Sequence, residues 1–305
     1  GIDWHWIFWL NVPIGLVLAP LAANRLSESY GPRPQLDVIG LVLAGTGVLG
    51  LTWGLVRSSA IGWDSGEVLV ALVAGASLLS VFLAWERRAA SPMLPLALFR
   101  ERGFVAGNAV SFFMYAALFG ALFLISQLLQ TALGNSPFQA GLRILPWTAA
   151  PMVIAPLAGS LADRYGNRLF MAIGLALQAL GLAWVAVIAK PGMGYVELGV
   201  ALTVAGVGIS MCFPTVANAV MGSVPAAEAG VASGTNSALR ELGGVLGVAV
   251  LAAVFAHHGV YGSPQAFIDR FSPALLVGAG FSAVGVVAAL LTVKPQALRP
   301  ALQPS

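Results

Sequence analysis

Charge is what this sequence has least of. Acidic residues number 12 and basic residues 15 in a chain of 305, together 9%, where a soluble domain carries roughly 25%. So little polar surface cannot keep a chain of this size in water. The basic residues are scattered between apolar runs rather than gathered in a patch, so the net charge of +3 does not indicate a nucleic-acid partner. A lone cysteine, Cys212, excludes an intramolecular disulfide and a cysteine zinc site, and within its apolar run it reads as a small buried hydrophobe. The three histidines, His5, His257 and His258, are not matched by clustered acids. No metal centre, phosphate loop or nucleophile-base constellation is found, so the reading is not an enzyme and no cofactor is implied. The chain opens at Gly1 with no basic leader ahead of its apolar run, so no signal peptide is read and the sequence is expected to start inside a longer protein.

What the chain has in quantity is apolar runs. Hydrophobic residues make up 58% and mean hydropathy is +0.88. Glycine (36) and proline (18) are abundant, as membrane bundles tolerate, since small residues let helix backbones approach and neighbours satisfy freed carbonyls. Runs near the ~20-residue length of a bilayer span predict nine helices, at 6–23, 38–56, 67–85, 104–129, 140–162, 169–189, 197–222, 236–256 and 273–293. The fold class is therefore an all-α polytopic membrane protein whose first partner is the lipid bilayer. Its organising stretch is Gln139 to Arg168, one span adjusted by Pro146, Pro151 and Pro156 and delivered into a charged turn. Kinks are expected at Asn11, Pro13 and Gly15 in the first span and at Pro214 in the seventh.

If the nine spans simply alternate, eleven lysines and arginines fall on one side and four (Arg57, Arg143, Lys190 and Arg270) on the other. The positive-inside rule then puts the Gly1 side outside and the Ser305 side in the cytoplasm. Loops are short; the longest are Asn24 to Asp37, Glu86 to Gly103 and His257 to Ser272. The second suits an interfacial connector along the inner surface and divides the first three spans from the last six. Those six fit two inverted triplets, as in the halves of secondary transporters, although sequence similarity between the triplets is too weak to establish the repeat.

Six ordered segments carry a resemblance. They are WHWIFWLNVPIG (Trp4 to Gly15), QLDVIG with the GL and GW that follow, WERRAASPMLPLALFR, SPFQAGLRILPW, GSLADRYGNR and SGTNSALRELGGVLGVAV. Together they resemble the Major Facilitator Superfamily (MFS), and within it the fourteen-helix drug:proton antiporters of the EmrB/QacA type. The resemblance implies a fragment carrying the sixth to fourteenth helices. Residues 1–24 would be the last helix of the N-terminal bundle, 25–103 a linker helix pair and cytoplasmic connector, 104–293 a C-terminal six-helix bundle, and 294–305 a cytoplasmic tail. It further implies proton-coupled export of small hydrophobic or cationic drugs by alternating access, in a bacterial inner membrane, with the missing N-terminal helices and protons as partners. The acid and the glycine-proline segment usually tied to protons would lie in the absent helices.

Gly159, Asp163, Arg164, Gly166 and Arg168 match the superfamily's loop motif between the second and third helices of a half, and are expected to gate the cytoplasmic side. Asn167 stands where a basic residue is common. The plainer reading is a turn that only fixes topology. Arg240 and Glu241, at the start of the eighth predicted span, are candidates for coupling or gating, or else snorkel to the interface; Gly243 and Gly247 suit a close helix contact. Asn108, Phe112, Gln127, Gln130, Trp147 and Asn218 are candidate cavity residues, with interhelical hydrogen bonding as the alternative. Trp4, Trp6, Trp9, Trp53 and Trp63 read as an interfacial belt. Two other functions stay open on these residues: a dedicated natural-product exporter conferring self-resistance, and a truncated fragment that does not transport.

Overall fold

The computed structural model describes residues 9, 11–25, 37–89, 92, 94–257 and 263–292. Trp4, Trp6, His5, His258 and the tail 294–305 lie outside them. Every regular element among the described residues is helical, and eight helices are long and apolar enough to cross a membrane. The first span is described only as α1 (Asn11–Arg25), which contains Pro20 and buries no residue. It belongs to the first of two compact units, residues 1–35; the second is residues 36–305.

The second unit opens with a hairpin, α2 (Val38–Ile61) and α3 (Gly66–Glu86). Glycines make it tight: a Cβ on Gly75 would lie 2.6 Å from the Leu51 nitrogen. Polar clamps close both ends. Asp37 Oδ1 caps α2 by accepting from Gly40 N at 2.8 Å, and both its oxygens accept from Trp85 Nε1 at 3.0 and 3.1 Å. At the other end Glu67 Oε1 accepts from Arg57 Nε at 3.0 Å and from Trp53 Nε1 at 3.3 Å. Removing a capping carboxylate costs about 1 kcal/mol, and here the indole loses its acceptor too. Asp37→Ala should therefore lower the thermal midpoint in detergent, whereas Thr46→Ala, which gives up only an exposed bond to its own helix, should not.

The connector is anchored rather than merely laid on the surface. Glu86 Oε2 accepts from Leu94 N at 3.2 Å. The 3-10 turn Leu96–Arg100 buries Leu98 in the bundle core, and Phe99 meets Phe104 edge-on at 5.4 Å.

The bundle comprises α4 (Arg102–Gln127), α5 (Pro137–Thr148), α6 (Ala150–Tyr165), α7 (Asn167–Ile188), α8 (Tyr195–Met221), α9 (Ala229–His257) and α10 (Pro264–Leu291). α4 ends in a wide turn at Leu128–Ala132. Its buried positions and those of α7, α8 and α10 face one another, while Val187, Val196, Met152 and Leu180 project outward, 63–81% exposed. In water such a surface would aggregate; in a bilayer it is the lipid face.

Three boundaries differ from the apolar-run reading. The fifth span is two pieces, α5 and α6, broken at Ala149. Pro151 can donate no bond to the preceding turn, and Met152 N reaches back only to Ala149 O at 3.1 Å. α9 starts at Ala229 rather than 236, and α10 at Pro264 rather than 273. In α10 the polar residues Gln265, Asp269 and Arg270 masked a helix that Ser263 caps by accepting from Ala266 N at 3.1 Å. Arg270, counted above as a loop residue, is a helical residue only 2% exposed. Residues 264–272 of the predicted His257 to Ser272 loop are helical.

The packing has an internal symmetry. α4 lies on α9, as α8 lies on α5 and α6; α7 lies on α8, as α10 lies on α4; and α7 meets α10 while α4 meets α8. Exchanging α4–α7 with α8–α10, taking α5 and α6 as one span, leaves this pattern unchanged. Residue pairs give the directions. Gly243 sits against Phe112 and Gly247 against Ala116, so α4 and α9 run parallel; Gly206 sits on Trp147 and Gly159 on Pro214, so α8 runs parallel to α5–α6. Two interlocked triplets of this kind are the arrangement of an inverted repeat.

Candidate functional site

The α4–α9 seam holds the polar groups that matter. A Cβ on Gly243 would collide with the Phe112 carbonyl oxygen and one on Gly247 with that of Ala116, while one on Gly120 would come 2.9 Å from Gly247 O. These glycines bring two backbones into direct contact, as their spacing predicts. One to two turns earlier, Asn236 Nδ2 donates to Asn108 Oδ1 at 3.0 Å and to Ser111 Oγ at 2.7 Å, and Asn108 Nδ2 donates to Phe104 O at 2.9 Å. Ser111, absent from the candidate residues, completes this bridge.

Arg240 lies between the bridge and the glycines. The boundary correction changes its meaning: α9 begins eleven residues before it, so it does not open the span but stands near the middle of the segment Ala226–Ala256. At 1.5 Å per residue, that is about 16 Å along the helix, too far for simple snorkelling to the end. Its Cζ is 4.9 Å from the Tyr115 ring centroid, and its Nε is buried with no hydrogen-bond partner. Tyr115 in turn meets Phe119 at 5.7 Å and, edge-on, Phe213 at 6.2 Å.

Glu241 points elsewhere, because successive helical residues diverge by about 100°. It lines a groove of ≈ 380 Å³ shared with the hairpin and α4, whose walls are Leu55, Phe119, Phe123, Val245, Val248 and neighbouring small residues. The two adjacent charges thus flank one aromatic cluster, Arg240 over Tyr115 and Glu241 in the groove that Phe119 also lines.

The charged turn has a different character. Gly166 ends α6 at φ +92°, a backbone conformation that glycine adopts without strain. Asp163, Arg164 and Arg168 are exposed, and Arg164 stacks over Tyr165 at 5.5 Å. Asp163 makes no ion pair or hydrogen bond among the described residues. A Cβ on Gly159 would sit 3.5 Å from Pro214, ordinary contact, so alanine would fit there.

The family model of the Major Facilitator Superfamily matches residues 107–304, which takes in the seam, the charged turn and the whole bundle except the start of α4. The chain belongs to the Major Facilitator Superfamily. Among superfamily relatives, it is 34% identical over 257 residues to the multidrug resistance protein Stp of Mycobacterium tuberculosis (strain ATCC 25618 / H37Rv), covering 83% of this chain and 48% of Stp. It is 32% identical to the tetracenomycin C resistance and export protein of Streptomyces glaucescens, covering 84% and 48%. It is 27% identical to the multidrug export protein EmrB of Escherichia coli (strain K12), covering 83% and 50%. The chain therefore spans about half the length of these relatives. The crystal structure of the nucleoside transporter NupG superposes with a TM-score of 0.52 at 18% identity, covering 80% of this chain and 65% of that one, which is a likeness of fold.

The candidate cavity residues of this superfamily member do not converge on one site. Asn108 and Gln127 are separated by about 29 Å along α4 at 1.5 Å per residue, so they stand at opposite membrane depths. Gln130 is exposed and donates to Ser126 Oγ at 3.0 Å. Trp147 is buried against Gly206 and Asn218 is exposed. Phe112 turns its edge to Phe113 and gives its carbonyl to the Gly243 contact. None of the six lines the Glu241 groove. Two polar residues passed over in the sequence, Gln178 and Ser282, are fully buried and have side-chain polar atoms without a hydrogen-bond partner. Their only signal was polarity inside an apolar run.

Cys212 is fully buried, 3.6 Å from the Met171 carbonyl. A membrane-impermeant maleimide should leave it unlabelled in native protein and label it after denaturation, as mass spectrometry would record.

Proposed function

We propose that this chain is the C-terminal part of a proton-coupled exporter of hydrophobic or cationic drugs, working by alternating access in a bacterial inner membrane with the Gly1 side outside and the Ser305 side cytoplasmic. The observation that carries the reading is the α4–α9 seam: two parallel helices from different triplets, in backbone contact, with Arg240 and Glu241 at mid-span. Buried or mid-membrane charges are costly and are retained where they work. Residues 1–24 would belong to an N-terminal bundle, 25–103 to the linker pair and connector, 104–293 to the bundle that rocks, and 294–305 to a tail. The exposed Asp163, Arg164 and Arg168, with Gly159 and Gly166, would meet the partner bundle in the inward-closed state.

The names of two relatives support a second reading of the same fold, export of one natural product by its producer. Reconstitution decides between them. Vesicles holding the transporter with both bundles should expel ethidium when an inward proton gradient is imposed, and the 305 residues alone should insert without transporting. Efflux by these residues alone would overturn the two-bundle reading, and efflux indifferent to the proton gradient would overturn coupling. A substrate confined to one aromatic natural product would favour the second.

A further inference from the structure

We infer that Arg240, on its aromatic floor of Tyr115, Phe119 and Phe213, is a recognition site for the anionic group of an aromatic acid, a carboxylate or phenolate carried on a flat hydrophobic body. The inference rests on the exporter reading and changes its substrate class, from a cationic to an anionic group on a hydrophobic body. It starts from what the guanidinium has and lacks. Its face is occupied by the Tyr115 ring at 4.9 Å, which orients it without neutralising it. Its Nε is buried without a partner, its terminal nitrogens donate no hydrogen bond, and it has no acidic partner among the described residues.

No carboxylate pairs with the guanidinium among the described residues, although the charge of Glu241 reaches the Tyr115 ring. The polar groups at this level of the seam are Asn236, Asn108 and Ser111, all neutral and already bonded to one another. The nearest carboxylate in sequence, Glu241, lines the groove on the hairpin side. The guanidinium therefore lies on the Tyr115 ring with its N–H donors unbonded among the described residues, and what completes it is a planar acceptor able to take two parallel N–H bonds. The half-buried rings of Tyr115 and Phe213 and the exposed ring of Phe119 offer such a ligand's body a surface on which to stack. The seam is also a rigid mount: the Asn236 bridge fixes α9 one turn before Arg240, and the Gly243 contact fixes it one turn after.

A carboxylate from a protein segment offers the same chemistry, and the experiment separates the two. The transporter with both bundles, in lipid nanodiscs, is titrated with an anthracene carboxylate, the matching anthracene methanol and the matching trimethylammonium, each followed by its own fluorescence. The carboxylate should bind at least about tenfold more tightly than the alcohol, the scale of a charge-assisted bond. Arg240→Gln should abolish that difference while leaving the alcohol within about twofold, and Arg240→Lys, which keeps charge but loses the fork, should retain part of it. Equal binding of acid and alcohol by wild type, with a thermal midpoint lowered in Arg240→Gln, would put a protein carboxylate on the guanidinium and overturn the inference. So would tightest binding of the ammonium, which would point to Glu241 instead. Ethidium efflux measured on the same protein keeps the two readings apart. Efflux without acid preference refutes this site alone, and acid preference without efflux of either ligand refutes the exporter.

Discussion

Gly247→Val should leave most of the protein unfolded or aggregated after extraction, while Gly280→Val should behave as wild type. Both changes place a β-branched side chain in a membrane helix, so the propensity cost is the same. They differ in what the side chain meets. At 247 even the first added carbon runs into the Ala116 carbonyl, whereas nothing lies within 4 Å of 280. Relieving the collision means pushing α9 off α4, which also strains the Asn236 bridge to Asn108 and Ser111. Overpacking costs about 1–3 kcal/mol, and loss of the bridge adds roughly 0.6 kcal/mol or more for each interhelical bond in a bilayer. Fluorescence-detected size exclusion, with the monodisperse fraction compared at rising temperature, reads the result. A monodisperse Gly247→Val with an unchanged midpoint would mean that the backbones are not in contact.

The second large effect should come from Asp163→Asn. Asp163 is exposed and makes no ion pair or hydrogen bond among the described residues, so the substitution should leave the melting temperature of this segment unchanged. If the turn docks on a second bundle, transport by the two-bundle protein should nevertheless fall by about tenfold, within the usual 1–3 kcal/mol of coupling between conformational states. Efflux rate and thermal midpoint measured on the same preparation separate the outcomes. A fall in both would make the residue a structural one, and a fall in neither would reduce the turn to a topology signal.

The helical, membrane-spanning character of the chain was legible because apolar run length is a one-dimensional quantity that the bilayer imposes directly. The boundaries that failed did so for physical reasons. α9 begins in the small, mildly polar residues Ala229 to Asn236, which hydropathy does not distinguish from a loop, and α10 begins in a capped, charged turn around Asp269 and Arg270. The earlier start of α9 puts Arg240 at mid-span rather than at a helix end and so changes its chemistry. The charged turn and the close approach at Gly243 and Gly247 were readable, since each depends on local spacing. The partnership of Arg240 with Tyr115, and of Asn236 with Asn108 and Ser111, was not, because it joins residues 125 to 128 positions apart. The repeat was invisible in residue identity and plain in packing, since inverted triplets need to conserve only which helices touch.

The interlocking of the triplets also sets a timetable for synthesis. Asn108 is made first, and its partner Asn236 follows 128 residues later. At 5–20 residues per second, the wait is on the order of ten seconds. During it, α4 sits in or beside the membrane with the Asn108 Oδ1 and the Ser111 hydroxyl without their Asn236 donor and the narrow face around Gly120 uncovered. A nascent chain in that condition needs a surrogate, whether water in the insertion channel or a holding chaperone. Neither triplet can close its own interior, so the bundle reaches its final form only after α9 and α10 have left the ribosome.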